Sequence, residues 1–175
     1  MTLSEFRDYF EQIATAHEDI RHGENGKVRF IMFDPDEVGA ESRFKLDTSH
    51  FGLYLKQFSV KMVRDNGGQF RKVYNAGYAI LKTANRNDKA SEDMVQSEAE
   101  LIAQDIFLEL MNRQRCGGGG WLTIGSSTRL KIDETQEVYD AEPIAGLTGN
   151  LAGFDVVLSF YEHTDHTRRR PGKFS

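Results

Sequence analysis

The residue types able to do chemistry in this 175-residue chain lie in a few short stretches. The tail "HTDHTRRRPGKFS" holds His163, Asp165 and His166, all metal-ligand types. A metal site needs ligands pinned by a second shell, and a polar tail without periodicity offers no such support. The same tail carries the one concentrated basic patch, Arg168, Arg169, Arg170 and Lys173, on a chain of formal net charge −5. That patch reads either as a solubilising tail or as an arm that docks on an acidic neighbour or touches nucleic acid. Cys116 stands at a helix C-terminus, where the dipole opposes the thiolate that a nucleophile needs. Ser126 and Ser127 sit in a turn without the Gly-x-Ser-x-Gly elbow of hydrolases. Acid pairs such as Asp34/Asp36 and Glu92/Asp93 read as turn and helix-start residues, and His17, His22 and His50 share no spacing. No catalytic residue, metal ligand or cofactor site is expected from these stretches, and the chain is read as a non-enzyme.

Gly117, Gly118, Gly119 and Gly120 raise the question of phosphate binding. A phosphate loop places a strand before its glycines and a helix after them, so that helix N-terminal amides face the anion. Here the order is helix, glycines, strand, and no Gly-Lys-Ser/Thr follows. The run reads instead as a left-handed glycine cap and corner, with Trp121 anchoring the strand beyond it. Four glycines exceed what a cap requires, so the run is a candidate flexible loop that moves as copies assemble.

Around these stretches the periodicity predicts a helix over 3–20, from Leu3, Phe6, Phe10, Ile13 and Ala14, capped by Thr2 or Ser4. "HGENG" ends it, "KVRFIMF" is a strand, and a long loop fills 34–49. Residues 50–63 and 70–82 form a hairpin. Pairing 62 with 72 and 60 with 74 brings the apolar faces together, so an odd-numbered loop is preferred to a two-residue Asn66-Gly67 turn. The apolar phase changes from odd (Phe51, Leu53, Leu55) to even (Phe58 onward), which places a bulge near Lys56-Gln57. The longest helix runs over 88–114, with an apolar stripe from Val95 to Leu110 and a charge distribution that complements its dipole. Strands follow at 120–132, broken at Gly125–Ser127, at 137–144 and at 153–162.

Strand–helix–strand alternation is absent. The fold class is therefore α+β, a mainly antiparallel sheet with an N-terminal helix and one long central helix packed on one side. A single domain spans 1–162, and 163–175 is a basic C-terminal arm. Net acidity argues against general nucleic-acid binding, which needs a basic surface. No apolar run approaches the ~20 residues that span a bilayer. The opening MTLSEFRDYFEQI is acidic and amphipathic, unlike a signal peptide, and a lone cysteine excludes an intrachain disulfide.

The N-terminal helix, long hairpin, acid-led helix and closing strand "GFDVVLSFYE" together resemble the tail terminator, or tail-completion, proteins of tailed bacteriophages. The resemblance covers roughly residues 1–162 and rests on element order and strand character. It implies a non-enzymatic virion protein, assembled in the host cytoplasm, that forms a homo-oligomeric ring, commonly a hexamer. Such a ring caps the tail tube and joins it to the neck and head. The implied partners are other copies of the chain and the tube and neck or connector proteins, with DNA only as passing cargo, no membrane and no cofactor. Two other readings stand beside it: another neck, tube or injection-system component, and a small enzyme whose site gathers distant residues.

Overall fold

A computed structural model describes residues 1–33, 47–64, 70–85, 87–125, 128–132, 140–147 and 150–162. Helix α1 spans Leu3–Ala16. Thr2 caps it: its hydroxyl accepts from the Glu5 N–H, and the Glu5 carboxylate accepts from the Thr2 N–H at 2.7 Å. This reciprocal box satisfies two of the orphan donors at a helix start. Phe6, Phe10, Ile13 and Ala14 are buried on one face. The helix ends four residues before the expected position 20. His17 is extended, and its ring Nδ1 accepts from the Asp19 N–H at 3.2 Å, an alternative to continuing the helix. Ile20 continues the apolar spacing only because the turn folds it back into the core, where it is fully buried.

Strand β1 (Phe30–Phe33) runs parallel to β2 (Gly52–Arg64), which pairs antiparallel with β3 (Phe70–Thr83). The hairpin register is the expected one, with Met62 opposite Lys72 and Val60 opposite Tyr74. The register shifts between Lys56 and Ser59, so the bulge also lies where the change of apolar phase put it. The preferred odd-numbered loop and the rejected Asn66-Gly67 turn fall on residues 65–69, outside the described residues.

Helix α2 (Lys89–Cys116) is capped by Asp88, whose side chain accepts from the Ala90 N–H at 3.0 Å. The expected stripe is its buried face: Val95, Ala99, Ile102, Ala103, Ile106 and Leu110. After it come β4 (Leu122–Ile124), β5 (Thr128–Ile132), β6 (Asp140–Leu147) and β7 (Leu151–Glu162). The break expected at Gly125–Ser127 separates β4 from β5, although Ser126 and Ser127 lie outside the described residues. So does the start of the strand expected at 137.

The described strands form one sheet in the order β1-β2-β3-β7-β5-β4, with β6 joining β7 beside β5. Every pairing but β1–β2 is antiparallel. The even-numbered side chains of β3 and β7, among them Tyr74, Tyr78, Phe154 and Phe160, meet α1 and α2 in one core. Aromatic edges lock α1 to the hairpin: Phe6 stands 5.2 Å from Phe58, which stands 5.1 Å from Tyr74. Each fully buried Phe or Leu stabilises the fold by about 1.5–3 kcal/mol. Two hydrogen bonds orient α2. The buried Tyr78 hydroxyl donates to the Ala103 carbonyl at 2.8 Å, and buried Gln114 accepts from the Ile132 N–H at 2.7 Å. The architecture is thus α+β, with both helices on one side of a curled, mostly antiparallel sheet.

Candidate functional site

A dense polar cluster among the described residues joins the turn after α1 to the segment before β2. Arg29, just ahead of β1, is only 7% exposed, and its guanidinium makes three contacts with two described residues. Nε and Nη2 each stand 3.1 Å from Asp47 Oδ2, and Nη1 donates to the Ile20 carbonyl at 3.0 Å. The Ser49 hydroxyl and N–H donate to Asp47 Oδ1. The Ser49 bonds, joined by Arg29 against the opposing effect of burial, hold the Asp47 carboxyl down at about 2. His22 stands between its neighbours, with Nδ1 accepting from the Arg29 N–H at 3.1 Å and Nε2 3.3 Å from Glu11. Above this base lies an open cleft of about 560 Å³ with mixed charge on its walls, including Glu18, Asp19, Arg21 and Lys27.

An aspartate, a serine and a histidine here invite comparison with a hydrolase triad. In a triad one ring nitrogen takes the serine proton while the carboxylate holds the other. In this cluster the same atom, His50 Nδ1, stands 3.0 Å from Ser49 Oγ and 3.4 Å from Asp47 Oδ2. The Ser49 hydroxyl is bonded to Asp47 as well. That arrangement caps a turn and satisfies a buried guanidinium; it does not build a proton relay. Of the histidines that share no spacing in sequence, the turn at 17–26 brings His17 and His22 to this end of the molecule, and the segment before β2 brings His50.

A second polar group crosses the sheet face away from the helices. Lys56 Nζ is ion-paired with Asp155 Oδ2 across Gly77, while Asp155 Oδ1 is buried with no hydrogen-bond partner among the described residues. Beside it Ser159 donates to Asn75 at 3.0 Å. Tyr54, Ala79 and Leu81 form a small apolar cluster on the same face, and burial pushes the Tyr54 hydroxyl up to about 12. Among the described residues no group of three or more His, Cys, Asp or Glu side chains gathers as a metal site would.

The glycine corner differs from the expected cap. Gly117 closes α2 in an extended conformation, φ −67° and ψ 148°, with its N–H donating to the Arg113 carbonyl. The left-handed residues are Gly119 and Gly120, at φ +76° and +75°. Gly117 is required for a different reason: a Cβ there would lie 2.0 Å from the Trp121 carbonyl oxygen. Only Gly118 of the four has neither constraint. Trp121 anchors the next strand as expected, edge-on to Tyr161 with centroids 5.9 Å apart.

The distal end of the β2–β3 hairpin stays paired to β7 as far as Lys72 opposite Glu162, and only Val63–Arg64 and Phe70–Arg71 reach past the described part of β7. Tyr74 and Phe58 mark its root, where the Tyr74 hydroxyl donates to Glu162 at 2.5 Å and Lys72 stands 3.3 Å from the same carboxylate. Past that root Val60, Met62 and Phe70 on one face and Val63 on the other are 45–61% exposed. Over residues 57–64 the outer edge of β2 pairs with no described strand, because β1 ends opposite Lys56. Residues 56–64 and 70–74 carry Lys56, Lys61, Arg64, Arg71 and Lys72, and no acid.

The arm with Arg168, Arg169, Arg170 and Lys173, and the histidines of "HTDH", lie outside the described residues, as does 34–46 of the long loop. No protein-family model matches the chain, and neither a curated protein nor a solved structure shows significant similarity to it.

Proposed function

We propose that the chain is a non-enzymatic structural protein of a tailed bacteriophage, a tail terminator whose copies form a ring that caps the tail tube and joins it to the neck and head. The fold agrees with the element order on which the resemblance rests. One observation carries the reading: of ten exposed large apolar side chains among the described residues, three, Val60, Met62 and Phe70, share one face of the hairpin's distal end. A grouped apolar surface beside an unpaired strand edge is what a protomer contact uses and what an isolated monomer avoids. The implied partners are further copies, commonly six, and the tube and neck proteins. A net charge of −5 lets DNA pass as cargo without the phosphate contacts that would hold it. No cofactor enters this function.

Electron micrographs of the purified full chain test the reading. Closed rings with an open centre support it. Single particles of one-chain size at all concentrations, or a filament that never closes, count against it.

A further inference from the structure

The sheet face away from the helices carries, toward the hairpin's distal end, a row of side chains that crosses four strands. Lys61 is opposite Val73, Val73 is opposite Tyr161, and Tyr161 is opposite Lys131. Trp121, just ahead of β4, extends the row beside Tyr161, to which it stands edge-on. Arg129 lies two residues from Lys131 on the same face, opposite Thr123. Lys61 and Arg129 are exposed, and Val73, Tyr161, Lys131 and Trp121 are half-buried.

The charges in this row are uncompensated. Lys56 and Lys72 are held by Asp155 and Glu162, but Lys61, Arg129 and Lys131 make no ion pair with another described residue. Arg71 lies over the Tyr161 ring, 5.5 Å from its centroid, and belongs to the packing of the row. The described acids of this face lie toward its other end: Asp155 with Glu142 opposite it, and Asp140 opposite Val157. Val157 is four residues along β7 from Tyr161, about 13 Å at strand rise. Strand spacing sets Lys61 about 14 Å from Lys131, with Arg129 about 7 Å farther along β5.

Cations interleaved with aromatic rings on an open sheet face fit a partner that offers both phosphates and flat rings. A nucleic-acid strand does so when its bases are unpaired. A duplex keeps its bases stacked inside, and an acidic peptide supplies charge with nothing to set on the rings. We propose that this face binds single-stranded nucleic acid, with Lys61, Arg129 and Lys131 on phosphates and a base stacked on Trp121. The net charge of −5 keeps the contact weak and sensitive to salt. The inference goes beyond the ring reading and does not depend on it.

The basic arm with Arg168, Arg169, Arg170 and Lys173 is the rival source of affinity, so the test uses the full chain and separates the two. Trp121 is the sole tryptophan, and its fluorescence reports from this face. A single-stranded oligothymidylate of about twelve nucleotides, within the usual site sizes, quenches it at low salt. In the combined variant Lys61→Gln, Arg129→Gln, Lys131→Gln the quenching is lost. Affinity measured by anisotropy then falls less steeply with salt, the log–log slope flattening by about 2 for three lost phosphate contacts. Lys61→Gln alone, at an exposed edge position, flattens it by about 0.7 and serves if the combined variant has a lowered thermal midpoint. Binding without quenching, or a slope unchanged in both variants, overturns the proposal and assigns the affinity to the arm. Equal quenching by polyglutamate, or by a duplex of the same length, also overturns it.

Discussion

Replacing Asp47 with alanine tests whether the cleft at the end of α1 is structural. The substitution removes two charge-assisted contacts, each 3.1 Å, from a guanidinium that is only 7% exposed. The Ile20 carbonyl is the remaining partner shown for that guanidinium. Breaking a buried ion pair by deleting one member costs about 3–5 kcal/mol, and the lower figure applies because Asp47 borders an open cleft. For a chain of this size, about 3 kcal/mol lowers the thermal midpoint by roughly 6–12 °C. Asp47→Asn keeps an acceptor for Arg29 and Ser49 and costs roughly half as much. The sign of the pH dependence follows from the carboxyl being held at about 2 in the folded chain, below its ordinary value. The unfolded chain takes up the proton first, so this stabilisation is fully present above about pH 4 and is lost as pH falls toward 2. Thermal unfolding of the wild type and both variants, at neutral pH and down the acid limb, is the assay. A loss under about 0.5 kcal/mol for Asp47→Ala, or an acid limb unchanged in Asp47→Asn, refutes the structural role.

Other substitutions have equally definite outcomes. Tyr78→Phe removes the hydroxyl bond to Ala103 and lowers stability by about 1 kcal/mol in denaturant unfolding, leaving the Ala103 carbonyl one partner short. Lys56→Met strands the Asp155 carboxylate and destabilises by about 1–3 kcal/mol, whereas Lys56→Met with Asp155→Leu recovers most of the loss in a double-mutant cycle. Gly117→Ala, which drives a Cβ against the Trp121 carbonyl, costs about 1–3 kcal/mol, while Gly118→Ala stays within about 0.5 kcal/mol of the wild type. Tyr54, pushed up to about 12, contributes stability that is complete below pH ~10 and lost as pH rises through 12; an ultraviolet phenolate titration of Tyr54→Phe lacks this late step.

The elements were legible wherever a single period ran without interruption. Val95 to Leu110 mark the long helix, the even apolar faces of 58–62 and 70–80 mark the hairpin register, and the switch from odd to even positions between Leu55 and Phe58 marks the bulge. Sequence pattern and structure part where a side chain satisfies two periods or local backbone geometry prevails. Ile20 matched the helical spacing but reaches the core from a turn, and Gly117 ends its helix in an extended conformation although glycine also suits a left-handed cap. The Arg29–Asp47 pair was hidden because its members are 18 positions apart and meet only when β1 pairs with β2. The outer row of α2 was visible in principle. Met94, Leu101 and Leu108 recur every seven residues outside the buried stripe, and that recurrence distinguishes a second apolar face from scattered exposed residues. The clustering of bases at 56–64 and 70–74 is hidden in an acidic total, since a net charge of −5 says nothing of how charges are distributed.

The central claim is that copies of this chain close into a ring, and the mass of the full chain in solution tests it most directly. Light scattering on the purified protein across a concentration series should give one closed species at several times 19.9 kDa, about 119 kDa for six copies. A mass of 19.9 kDa that persists at the highest concentration would contradict it.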